Sequence, residues 1–94
     1  MTTDRVVSAA DASRRALEET ILRLLAERGR GRTICPSEAA KAFASSHMED
    51  WKNLMEAVRI AARSLVAQGR IHITKHGQPV DPATAKGPIR LRLR

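Results

Sequence analysis

The chain ends on Ile89-Arg90-Leu91-Arg92-Leu93-Arg94, six residues that alternate apolar and arginine. Strict alternation belongs to a strand with one buried and one wet face, because successive side chains point to opposite sides of the backbone. Such a strand needs a partner, and Ile71-His72-Ile73-Thr74, just past a helix-ending Gly69, supplies one. Pairing the two predicts a hairpin with Ile71, Ile73, Ile89, Leu91 and Leu93 against a core. His72, Thr74 and the three arginines then face out. The connection from Gly77 to Pro88 is long for a hairpin turn. Pro79, Pro82 and Pro88 stiffen it, so it is expected to be an ordered flap.

Helices must cover the apolar face of that hairpin. Leu17, Ile21, Leu24, Leu25 and Arg28 recur at helical spacing, with Asp11 or Ser13 as the cap and Gly29 as the stop. Thr33-Ile34-Cys35 suits only a very short strand. Pro36 fits the first turn of a short second helix, with Ala39, Ala40 and Phe43 inward, ending near Ala44 at Ser45-Ser46. Ser46 and Glu49 have the spacing of a capping box, and Asp50 is a rival cap for the third helix, which extends to about Gln68. Its apolar stripe is Trp51, Leu54, Met55, Val58, Ala61, Ala62, Leu65 and Val66, within roughly 120° of arc. The expected fold is mainly α with a small β-hairpin, a winged helix-turn-helix. Its order is helix, tiny strand, helix, helix, strand, wing, strand. Residues 1–10 are expected to be a loose lead-in and residues 11–94 one domain.

Charge narrows the partner. Of a net charge of +7, residues 1–50 contribute nothing, with eight basic and eight acidic side chains. Residues 51–94 set nine basic groups against Glu56 and Asp81. A basic half beside a neutral half is the footprint of a nucleic-acid or acidic-surface binder, although a high pI also serves solubility. Phe43 and Trp51 are the only aromatics, too few for a base-stacking platform. One cysteine excludes an internal disulfide framework. No segment approaches the roughly 20 apolar residues of a membrane span. The expectation is a reduced, cytoplasmic protein with no membrane contact.

Two sets of residues carry the candidate chemistry. On the third helix, Lys52, Asn53, Arg59 and Arg63 are suited to a DNA groove, because Arg pairs with guanine and Asn with adenine. Glu56 among them repels phosphate, and exposed Ile60 suits a protein contact better. A solvated charged face is the alternative reading. On the wing, Arg90 and Arg92 project with Arg94 at about 6.6 Å intervals, near the spacing of backbone phosphates. Lys75, His76 and Lys86 extend that set. The alternatives there are an edge strand guarded by charge, or an Arg90–Asp81 pair that holds the flap shut.

The remaining motifs point away from catalysis. Cys35 precedes a proline-led helix start, where a thiol can be activated, but only His47 offers a distant base, and a packed cysteine is the preferred reading. His72 and His76 lie about 13 Å apart on a strand, beyond the reach of one metal ion. Gly29-Arg30-Gly31-Arg32 lacks the Lys-Ser/Thr of a phosphate loop. Asp81-Pro82 starts a turn. No paired carboxylates, triad or cofactor fingerprint is visible, so neither enzymatic activity nor a cofactor or metal is expected.

Several segments together resemble one family. They are Ile21–Ala26, Thr33-Ile34-Cys35-Pro36-Ser37-Glu38-Ala39-Ala40, Trp51 with Leu54-Met55, Val58–Ala62, Gly69–Thr74, Gly77, Val80-Asp81-Pro82 and Lys86–Arg92. The chain resembles DUF3253, a family of short bacterial proteins of unknown function. The resemblance implies a winged-helix-like fold and supplies no activity. The expected function is therefore a nucleic-acid-binding module, duplex DNA favoured. The alternative is a protein-interaction module docking on an acidic surface.

Overall fold

The structure, a computed structural model, describes residues 9–47 and 50–94. The first helix, α1, is Ala9–Arg28. It is already formed at Ala9, ahead of the expected caps at Asp11 and Ser13, and the expected loose segment lies outside the described residues at 1–8. Leu17, Ile21 and Leu25 are fully buried on its inner face. The helix stops where the Gly29 amide donates to the Leu25 carbonyl at 3.0 Å and Gly29 takes φ 110°, a conformation open to glycine.

Strand β1 (Thr33–Ile34) leads into α2 (Pro36–His47). This helix runs a turn past its expected end at Ala44. Ser45 and Ser46 do not stop it, because the Ser46 hydroxyl turns back to the Ala42 carbonyl at 3.3 Å. His47 stacks on Phe43, with ring centroids 3.9 Å apart and nearly parallel planes. Ser46 is thus inside α2 and not a cap, and Glu49 of the expected capping box lies outside the described residues. Asp50 is the cap. Its side chain accepts from the Lys52 amide at 3.1 Å. The expected third helix is divided in two. A 3₁₀ turn, Trp51–Leu54, precedes α3, Met55–Ala67. Within α3, Val58, Ala61, Ala62 and Leu65 are buried, and Trp51, Leu54, Met55 and Val66 pack at the margin of the core.

The expected two-strand hairpin is a four-stranded antiparallel sheet in the order β1-β4-β2-β3. Strands β2 (Ile71–Lys75) and β4 (Arg90–Leu93) pair in the register Ile71↔Leu93, Ile73↔Leu91. Strand β1 joins on the far edge of β4 through Thr33↔Arg92 and Ile34↔Leu91. Strand β3, Gln78–Pro79, folds back on β2 through Lys75↔Gln78 and Thr74↔Pro79. The connection after β2 therefore holds a two-residue turn, with positive φ at both His76 (54°) and Gly77 (80°). That is the primed geometry whose twist matches paired strands. Pro79, with no N–H to donate, is tolerated because β3 is an edge.

Ile34, Ile71, Ile73, Ile89 and Leu91 form the sheet's contribution to the core, closed by α1, α2 and α3. Burying a side chain such as Leu65 contributes about 2 kcal/mol. One outward expectation fails. Thr74 is completely buried, not exposed, at its position opposite Arg90 in an inner strand of the sheet. Its hydroxyl reaches the Arg90 carbonyl at 3.4 Å. No helix among the described residues is long and apolar enough to cross a membrane.

Candidate nucleic-acid interface

Asp50 sets the start of the basic face. With its side chain on the Lys52 amide and its carbonyl accepting from the Asn53 amide at 3.0 Å, it winds the 3₁₀ turn. Lys52 and Asn53 are left exposed there. Trp51 is half-buried, with the Lys41 ammonium 4.7 Å above its ring. Six residues beyond Asn53, Arg59 and Arg63 stand at i and i+4 on the flank of α3, Arg59 half-buried and Arg63 exposed. Neither makes a hydrogen bond or ion pair among the described residues. Glu56 shares their stripe and bridges to neither.

The flap, residues 80–88, is built as an ordered element. The Val80 amide donates to the Ile73 carbonyl at 2.8 Å. The Asp81 carboxylate accepts from the Ala83 amide at 2.9 Å, and its carbonyl accepts from the amides of Thr84 and Ala85 at 3.1 and 2.9 Å. Asp81 thus starts a turn, as its position before Pro82 suggests. The Lys75 ammonium donates to the Lys86 carbonyl at 3.0 Å and ties the strand end to the flap. The folded flap lies beside α3. Between them is a cleft lined by Pro36, Arg59, Ala62, Arg63, Ile73, Pro82, Ala85 and Ile89.

Arg90 and Arg92 do not join this surface. Ile89, which faces the core, and Arg90 alternate along the chain, so Arg90 and Arg92 project from the opposite face of the sheet. The expected Arg90–Asp81 latch is absent, since both side chains have other partners. Arg90 Nε donates to the Thr33 hydroxyl at 2.8 Å, and Nη2 donates to the Thr33 carbonyl at 3.3 Å. Arg92 is half-buried, between Thr33 and His72 in the sheet register. Arg94 sits at the sheet's end, its amide donating to the Arg70 carbonyl at 3.1 Å. Of the eight predicted residues, Arg59 and Arg63 line the cleft, Lys75 and Lys86 meet on the flap, and Lys52 and Asn53 precede α3. Arg90 and Arg92 are elsewhere.

A second polar cluster escaped the sequence reading. Arg28 donates from Nη1 to the Thr33 carbonyl at 3.0 Å and from Nη2 to Glu38 Oε1. Glu38 Oε2 accepts from the Cys35 amide at 3.0 Å. That amide bond lowers the Glu38 pKa below its ordinary value; burial opposes the shift, while Arg28 and Arg90 reinforce it. The clasp joins α1, β1, α2 and β4, so Ile34-Cys35-Pro36-Ser37-Glu38 is a structural joint. Cys35 itself is half-buried and accepts from the Ser37 hydroxyl at 3.2 Å. No group of three His, Cys, Asp or Glu side chains able to hold a metal ion occurs among the described residues.

The chain belongs to the family described as Protein of unknown function (DUF3253), which matches over residues 14–94. No curated protein matches it.

Proposed function

We propose that this member of the DUF3253 family is a winged helix-turn-helix module that binds duplex DNA through α3 and the flap. Supporting the fold reading, α1, β1, α2, α3, β2 and β4 succeed one another in the winged-helix order, and β3 is an addition within the wing. Supporting the function is one observation above others. Arg59 and Arg63 stand one helical turn apart, without a neutralising partner among the described residues, beside a flap that carries Lys86. Like charges at i, i+4 cost a helix about 0.2–0.5 kcal/mol. A polyanion relieves that repulsion and gains charge-assisted contacts.

The interface is Lys52, Asn53, Arg59, Arg63, Lys75 and Lys86. Arg59, Arg63, Lys52 and Lys86 reach phosphate or base edges, and Lys75 positions the flap. Arg90 braces β1, and Arg92 adds only to the long-range field. The module binds and does not catalyse. Four neutralised phosphates give a log–log salt slope of about −3.6. Fluorescence anisotropy with random duplex DNA, duplex RNA and heparin over a salt series tests this. Tighter binding of duplex DNA with that slope supports the reading. A flat salt response, or equal affinity for heparin, contradicts it.

Ile60 favours a second reading. It is 43% exposed, the one large apolar side chain so exposed among the described residues, and it lies on the solvent side of α3. A protein-docking module would use it. Ile60→Glu then abolishes capture of a protein partner and leaves duplex affinity within about twofold. If it weakens DNA binding and disturbs no complex, α3 serves DNA alone.

A further inference from the structure

We propose that the solvent face of α3 docks a second copy of this chain, in an antiparallel two-fold pair centred on Ile60. Ile60 is 43% exposed and stands about 150° around the helix from the centre of the buried stripe of Val58, Ala61, Ala62 and Leu65. A branched apolar side chain held out in water gains by burial against another apolar surface. The residues on its two sides differ. Glu56 and Arg63 lie on one flank, both exposed and without an ion pair among the described residues. Half-buried Ala57 and Ser64 lie on the other.

This arrangement is complementary to itself. Along the axis, Glu56 lies about 6 Å before Ile60 and Arg63 about 4.5 Å after it. A two-fold axis through an Ile60–Ile60 contact, lying in the interface and perpendicular to the helices, reverses the second helix and keeps each flank on its own side. The partner's Arg63 then falls within about 1.5 Å of the level of Glu56, and symmetry repeats the contact at the other end. On the opposite flank Ala57 meets the partner's Ser64, and these small side chains let the helices approach. A parallel pair would set the charged flank of each helix against the uncharged flank of the other and leave Glu56 and Arg63 unmet. Arg59 does not intrude, because it turns aside to the cleft at the flap. A net charge of +7 on each copy opposes association, and physiological salt screens that repulsion beyond about 8 Å. A contact confined to one helix about 20 Å long buries less than the roughly 1,600 Å² of a standard interface. The dimer is therefore weak and forms only as concentration rises. Arg63 held by the partner's Glu56 is withdrawn from phosphate, so dimer and duplex exclude each other.

Because the two share Arg63, the test contains no DNA and succeeds or fails apart from the DNA reading. The full chain is followed by sedimentation equilibrium in physiological salt, and a monomer–dimer equilibrium with Kd on the order of 100 μM is expected. Ile60→Glu should leave only monomer. Glu56→Arg alone and Arg63→Glu alone should each raise Kd by about tenfold or more, since each sets like charges against one another. The two together restore opposite charges across the pair and should return Kd to within about threefold of the original. All four positions are on the helix surface, and far-UV circular dichroism confirms that each variant is folded. A chain that stays monomeric up to about 1 mM overturns the proposal. Unchanged association of Ile60→Glu overturns it in favour of another face. A combined variant no tighter than either single one overturns the antiparallel register.

Discussion

Glu38 holds the Cys35 amide with one carboxylate oxygen and Arg28 with the other. Half of this was within reach of the sequence, because Glu38 stands three residues after Cys35, the spacing at which a side chain reaches back to a helix N-cap. The other half was not. Arg28 is ten residues earlier, and it meets Glu38 only because Gly29 and Gly31 reverse the chain at positive φ. Since the folded carboxyl titrates below its ordinary value of 4.5, its contribution to stability is complete above that value and fades as pH falls through the lowered one. Glu38→Gln keeps an acceptor for the amide and loses the charge. It should therefore destabilise by a constant amount, about 0.5–1 kcal/mol, in urea unfolding from pH 6 to 8, with the gap narrowing below about pH 4.5. A gap that widens on acidification would contradict the clasp.

At the scale of elements, the alternating strand was the most legible feature, and its apolar side chains face the core as the pattern demands. The covering helices were legible from their 3.6-residue stripes. Boundaries and short elements were not. Ser45 and Ser46 looked like a stop because serine competes with the helix backbone, and here the Ser46 hydroxyl satisfied itself on the preceding turn instead. Strand β3 was hidden by His76-Gly77, a weaker turn signal than Asn-Gly, and by Pro79, which argues against a strand except at an edge. The turn offers a direct check. His76 holds φ 54°, where asparagine is better tolerated, so His76→Asn should stabilise the protein by about 0.5 kcal/mol. Gly77→Ala, at φ 80°, should cost about 1 kcal/mol although no atom crowds the new methyl. Equal Tm values for all three proteins would argue against the primed turn.

For the whole molecule, the charge asymmetry along the chain becomes two basic surfaces, not one. The sequence already held the reason. If the apolar residues of β4 face the helices, its arginines must face away from α3, so Arg63 and Arg92 cannot meet the same partner surface. The flap supplies Lys86 in place of the strand arginines, and Arg90 turns to Thr33. The same separation gives an internal control for the DNA reading. Arg59→Gln with Arg63→Gln removes two charges beside the flap, and Arg92→Gln removes one from the far face of the sheet. The salt slope of duplex binding by anisotropy, compared among these variants, is the most direct test. A DNA interface on α3 and the flap makes the slope shallower by about 1.8 for the double variant and leaves it nearly unchanged for Arg92→Gln. Slopes that fall in proportion to charge removed, whichever face loses it, would contradict a DNA interface on α3 and the flap.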